Sequence, residues 1–333
     1  MRALVVRGPG LVALEDVPAP VALPGSVLVR PTMVGLCGTD LEIIDGHIDP
    51  AYVRLPLIIG HEWIGAIDRT SSTAGPALGT RVVVEGIVPC RHCRACVAGD
   101  TNRCQTYDEF GFIRAGAAAD LVSAPEHLVH ALAATVADKS GVLVEPASVV
   151  LRALQRAAPH PGMKVLVVGD GAVGLLAATL ARLWSPASVT MLGARPKQHA
   201  LAEAAGVDQF QLEADSSTAY DLVIEAAGAP AAVSAALASP TRGGTVVLLG
   251  LAGDGVSTPL AIDDLVNSDV TVMGSFSYTA AAWGGVVELL NSGRLDLSFL
   301  VTHEYPLADW AQAIQSLRTP SGARGKVVLT IDR

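Results

Sequence analysis

Along the first 140 residues the apolar positions fall in short runs broken by glycine and proline. "ALVV" (3–6), "SVLVRP" (26–31), "LPLIIG" (55–60) and "RVVVEG" (81–86) read as strands of an irregular β domain. "SSTAGPALGT" (71–80) is all turn formers and predicts a surface loop. The pattern changes at Glu145. Pro146 needs no partner for a missing N–H at a first helical position, and Val149, Val150, Ala153, Leu154 and Ala157 then recur at helical spacing. From there strands and helices alternate. "KVLVVG" (164–169), "SVTMLG", "YDLVIEAAG" and "GGTVVLLG" are apolar strands, separated by the helical "AVGLLAATLARLW" and "KQHALAEAA". This alternation predicts a doubly wound parallel α/β sheet, and "GKVVLT" (325–330) predicts a last strand that rejoins the first domain.

Bulk numbers narrow the function. The 333 residues are long for one core, and with half of them apolar and 17% charged the chain reads as globular with two domains. A net charge of −9 without a basic stripe argues against a nucleic-acid partner. Residues 165–181 are nearly all apolar, but Asp170 and three glycines interrupt them, so they predict strand, turn and helix rather than a membrane span. The first residues lack a secretory signal's apolar stretch, which leads to an expected cytoplasmic location with reduced thiols. The mean hydropathy of +0.44 hints at apolar surface buried between subunits.

"GDGAVG" places Gly169, Gly171 and Gly174 between a strand and a helix, the context in which G-x-G-x-x-G binds a dinucleotide pyrophosphate. An NAD site carries Asp or Glu at the end of the second strand for the ribose 2′-hydroxyl. Here that place is Gly193, followed by Ala194, Arg195 and Lys197, so a 2′-phosphate is not repelled and Arg195 can pair with it. NADP is the expected cofactor ahead of NAD. The bland alternative makes Arg195 a solvated loop residue that leaves both cofactors acceptable.

Four of the five cysteines, Cys90, Cys93, Cys96 and Cys104, have the spacing C-x2-C-x2-C-x7-C. That set can close a tetrahedral structural Zn²⁺. An iron–sulfur run would end C-x3-C-P, which this one does not. The fifth, Cys37 in "VGLCGTDLEI", and His61 and Glu62 of "GHE" offer a thiolate, an imidazole and one or two carboxylates, a set that suits catalytic zinc, although a lone cysteine with a distant His-Glu pair is by itself more often incidental.

The ordered set "GLCGTD", "GHE", the four-cysteine loop, "VEP" and "VLVVGDGAVG", continuing to the terminal "GKVVL", resembles the zinc-dependent medium-chain alcohol dehydrogenases over nearly the whole chain. The resemblance implies a GroES-like catalytic domain (1–147, with a structural zinc lobe near 88–106), a Rossmann domain (148–277) and a return to the catalytic domain (278–333). It implies two zinc ions per chain. The catalytic one is held by Cys37 and His61, with Glu62 and Glu145 competing for the remaining protein position. Glu145 replaces a second cysteine, which is similar to the polyol and sugar dehydrogenase branch; its bland reading is an N-terminal helix charge. Cofactor contacts are expected at Gly169, Gly171, Ala172, Val173, Gly174, Gly193, Ala194, Arg195, Ala227, Leu249 and Gly250. Thr39 matches the family's proton-relay hydroxyl. Glu42 stands near a histidine that this chain lacks, so it is a candidate for proton relay or for binding a sugar hydroxyl. His47 is expected to be solvated, and Asp40 to bond local backbone.

The implied activity is hydride transfer between a secondary alcohol of a polyol, sugar or cyclitol and NADP or NAD. Two alternatives stand beside it, an aldehyde or ketone reductase on less polar substrates and a zinc-stapled binding or electron-transfer protein without hydride chemistry. The expected partners are a small hydroxylated molecule and further copies of the chain, as a homo-dimer or homo-tetramer.

Overall fold

The computed structural model describes residues 1–70, 75–253 and 255–332, so positions 71–74 of the predicted surface loop lie outside the described residues. The chain divides into two compact units. One comprises Met1–Glu145, Thr279–Ser321 and Lys326–Arg333, the other Pro146–Tyr278 and Gly322–Gly325.

The first unit is built on strand Ser26–Leu36, whose residues are nearly all buried. It runs antiparallel between Lys326–Thr330 and Glu62–Thr70. The sheet extends outward to Val301–Pro306 on one side and to Arg81–Val84 and Val129–Ala131 on the other, while Val122–Pro125 also pairs with Ser26–Leu36. Pro31 is tolerated inside this strand because the ladder to Glu62–Thr70 shifts register between Pro31 and Met33. Trp63 and Phe110, both fully buried with ring centroids 6.5 Å apart, anchor the core between strand and loop.

The predicted run "LPLIIG" forms only a two-residue strand, Leu57–Ile58, against Arg2–Gly8. Pro56 supplies no N–H, and the Ile58, Ile59 and Gly60 carbonyls are taken by the N–H groups of Gly116, Ala118 and Ala117. Local pattern cannot show such loop pairing.

The second unit bears out the doubly wound α/β expectation. Six parallel strands lie in the order Gln209–Gln211, Ser188–Leu192, Lys164–Val168, Tyr220–Glu225, Pro240–Leu248, Thr271–Gly274. The order reverses at Lys164–Val168, so the crevice beyond its carboxyl end is where such a sheet binds ligands. The two outer strands, short and partly polar, carry little periodic signal. Helix Val144–Ala157 begins two residues ahead of Pro146, which therefore occupies the first turn rather than opening it.

Candidate active site

Antiparallel register brings three distant segments to one sheet end. Gly35 pairs with Glu62 and Leu36 with Val327, so Cys37, Glu62 and Lys326 lie side by side there. Cys37 caps helix Gly38–Asp45, and the carboxylate of Asp40 reaches back to accept the Cys37 N–H at 2.8 Å. The other Asp40 oxygen faces His61 Nδ1 at 3.5 Å, both atoms buried. His61 Nε2 lies 3.9 Å from Glu62 Oε1. One donor atom each from Cys37, His61 and Glu62 falls within 4.8 Å of the others. A soft thiolate, an imidazole oriented by a carboxylate behind it and a hard oxygen make a donor set that fits zinc with one position left open.

Charge makes this corner demanding. The side chains of Glu62 and Lys326 are 1% and 4% exposed and form an ion pair. Gly35 makes room for it: a Cβ there would lie 2.5 Å from Glu62 Oε2 and 2.9 Å from the Lys326 side chain. Burial alone would raise the Cys37 thiol, but the His61 hydrogen bond and the Lys326 charge outweigh it and hold it below its ordinary value. Burial would lower His61, yet Asp40 and Cys37 push it well above. Glu145, also buried, is pushed well above the usual carboxylate range by burial and by the charge of Glu62. It stays outside the 4.8 Å group.

Around the cluster, Phe112 packs on the His61 ring at 5.3 Å and Tyr107 on Phe112 at 6.4 Å, while the Tyr107 hydroxyl donates to the buried Glu109 at 2.5 Å. Thr39 Oγ1 is 3.7 Å from Cys37 Sγ. Glu42 is not drawn into the buried cluster; it is half exposed and 3.5 Å from His47.

The four clustered cysteines also offer donor atoms within 4.8 Å of one another. Backbone N–H groups point at sulfur, Cys90 N to Cys104 Sγ at 3.3 Å and Cys93 N to Cys90 Sγ at 3.4 Å, the arrangement that stabilises thiolates around a cation. The N–H groups of Gln105 and Cys96 bring Cys93 down to about 6.

In the second unit, Gly169, Gly171 and Gly174 form the turn into helix Ala172–Ala181, which starts with Ala172 and Val173. A Cβ on Gly174 would meet the Gly169 carbonyl at 2.0 Å, whereas one on Gly171 would project into open space. That open cradle fits a pyrophosphate lying against the backbone. Glu225, fully buried, accepts the N–H groups of Ala227 and Gly228 at 2.8 and 2.7 Å and of Gly250 at 3.3 Å, tying together the loops that carry Ala227, Leu249 and Gly250. Gly193, Ala194 and Arg195 follow strand Ser188–Leu192, and Arg195 is engaged by Asp170 at 2.7 Å.

Comparison with known proteins agrees with this layout. Residues 23–134 match the alcohol dehydrogenase GroES-like domain and residues 172–292 the zinc-binding dehydrogenase domain. An erythritol/L-threitol dehydrogenase of Mycolicibacterium smegmatis is 31% identical, over 94% of this chain and 93% of its own length. An L-threonine 3-dehydrogenase of Streptomyces avermitilis is 32% identical over 99% of both chains. The chain belongs to the zinc-dependent medium-chain alcohol dehydrogenases. A zinc-binding dehydrogenase of Sinorhizobium meliloti bound to NADP superposes with a TM-score of 0.91, at 25% identity over 99% of this chain and 98% of that one.

Four functional residues of this dehydrogenase escape sequence reading. Gly35, Lys326 and Glu225 sit in runs that read as ordinary strands, and Asp170 reads as the variable position of the glycine motif. For Lys326 a signal existed: a charge opening an otherwise apolar strand.

Lys326→Met leaves the Glu62 carboxylate buried without its cation, and urea unfolding should show a loss of roughly 3–5 kcal/mol. Adding Glu62→Gln should return part of it, and full additivity of the two losses would contradict the pairing. Gly174→Ala should lower the melting temperature markedly, whereas Gly171→Ala should leave it unchanged and abolish dinucleotide binding by calorimetry.

Proposed function

We propose that this dehydrogenase oxidises a secondary alcohol of a polyol, sugar or cyclitol and passes the hydride to a nicotinamide dinucleotide. The observation that carries the reading is the buried group of Cys37, His61 and Glu62 with Glu145 and Glu109 close by, a carboxyl-rich corner suited to a substrate with several hydroxyls. The erythritol/L-threitol dehydrogenase relative supports it. A zinc ion held by Cys37, His61 and Glu62 would supply the Lewis acidity that makes a bound hydroxyl a better acid. Asp40 keeps the His61 ring turned so that Nε2 faces that position, and Lys326 holds Glu62 against the sheet end. The buried Glu145 carboxyl, at the edge of the cluster, can hydrogen-bond a substrate hydroxyl. Phe112 packs on the His61 ring and Tyr107 on Phe112, an aromatic edge to the corner. Thr39 and Glu42 share a helix face at i, i+3, so we assign Thr39 Oγ1 as the first proton acceptor, with Glu42 and His47 as the exit to solvent.

The second zinc of the reading sits at Cys90, Cys93, Cys96 and Cys104. None of the five cysteines is paired in a disulfide, and reduced sulfur available to a metal suits a reducing compartment, the cytoplasm. Among the described residues no helix is long and apolar enough to cross a membrane. For the cofactor, Gly193 and Arg195 favour NADP, which the S. meliloti relative binds. The engagement of Arg195 by Asp170 weighs the other way.

A homo-dimer is proposed from the free edge of the six-stranded sheet. Strand Thr271–Gly274 ends the sheet, and Val272, Ile262, Val266 and Phe276 around it are exposed at 37%, 65%, 72% and 59%.

Metal analysis of the purified chain should find two zinc atoms. Cys37→Ser should retain one and lose activity on a polyol panel by about a thousand-fold or more; iron in the protein, or full activity in that variant, contradicts the assignment. Light scattering should give at least twice 34.2 kDa for the wild type and a monomer for Val272→Lys.

A further inference from the structure

The adenosine end of the glycine loop holds a carboxylate at a place where sequence reading finds none. Gly193 occupies the position of the missing ribose acid, yet a Cβ there would lie 2.9 Å from Asp170 Oδ2. That Cβ would also lie 2.5 Å from the Phe210 ring, so position 193 adjoins the carboxylate of another residue and has no room for one of its own. Asp170, 6% exposed, is fixed on every side. Its Oδ2 accepts the N–H groups of Ala194 and Arg195 at 3.0 and 2.9 Å, and its Oδ1 accepts from Arg195 Nε at 3.0 Å and from the terminal guanidinium nitrogen at 2.7 Å. The Asp170 carbonyl takes a further guanidinium N–H at 2.8 Å and the amide of the buried Gln198 at 2.5 Å.

Two successive backbone N–H groups and an arginine fork make an anion seat. Here the chain fills that seat with its own carboxylate. We propose that Asp170, by filling this seat and engaging Arg195, denies it to a 2′-phosphate, and that the chain therefore prefers NAD. The inference rests on the dinucleotide reading of the glycine loop. A neutral ribose 2′-hydroxyl leaves the carboxylate and all four of its bonds in place. A 2′-phosphate brings a charge of about −1.5 to −2 against it and reaches Arg195 only by displacing Asp170. The opposing pull is local too. Gln198 also bonds the backbone of Arg324 at 2.6 and 3.0 Å, holding that segment beside Arg195, and burial together with the Arg195 charge lowers the Arg324 guanidinium. With the carboxylate gone, the two arginines would welcome a phosphate.

The test is calorimetric binding of 5′-AMP and 2′,5′-ADP to the purified zinc-containing protein. The wild type should bind 5′-AMP about ten-fold more tightly than 2′,5′-ADP, a difference near 1.4 kcal/mol. Asp170→Ala should reverse the order, and Arg195→Ala added to it should cancel the gain for 2′,5′-ADP. Asp170→Asn keeps the side-chain shape and should shift the ratio in the same direction should the alanine variant fail to fold. A wild type that binds 2′,5′-ADP more tightly, or an unchanged ratio in both Asp170 variants, overturns the proposal. Binding of neither mononucleotide overturns the dinucleotide reading itself, and the role of Asp170 with it.

Discussion

An ammonium and a carboxylate locked together in the sheet end of the first unit constrain everything around them. Removing Glu62 and Lys326 from water is costly unless each satisfies the other, and the pair in turn requires a glycine at 35, because any side chain there would meet both. The same carboxylate turns its second oxygen toward His61. Satisfying a buried lysine thereby fixes the one oxygen available to a cation, and the corner is preorganised before substrate or metal arrives.

The donors differ in how they are held. Cys37 is fixed by its place at a helix cap, with Asp40 closing the cap and facing the imidazole as well. One aspartate so links the thiol's backbone to the ring's orientation. In the four-cysteine lobe the holding groups are backbone N–H donors on sulfur. The first group offers three unlike donors beside aromatic and carboxyl side chains, the second four sulfurs. Three protein donors suit a reactive zinc and four cysteines a structural one.

The second unit applies the same logic to anions. Glu225 uses its carboxylate to bind loop N–H groups that would otherwise be buried without partners, and Asp170 does so between the glycine turn and the end of strand Ser188–Leu192. A carboxylate in such a seat is structural and selective together, since whatever displaces it must replace all of its bonds.

By itself the sequence determined the α/β class, the glycine turn and the four-cysteine lobe, and through its ordered motifs the pairing of Cys37 with His61, while Glu62 and Glu145 stood level until the structure grouped Glu62 with them. Those features are written in local periodicity or fixed spacing, or in motifs whose order suffices for recognition. Only the tertiary structure decided that Leu57–Ile58 is a stub of a strand, that Glu42 faces solvent, that Lys326 partners Glu62 and that Asp170 holds Arg195. Glu42 apart, each of these depends on which residue lies opposite across a ladder or a loop, tens to hundreds of positions away. Strand register sets such neighbours, and a period-two pattern says which face a residue takes but not whom it meets.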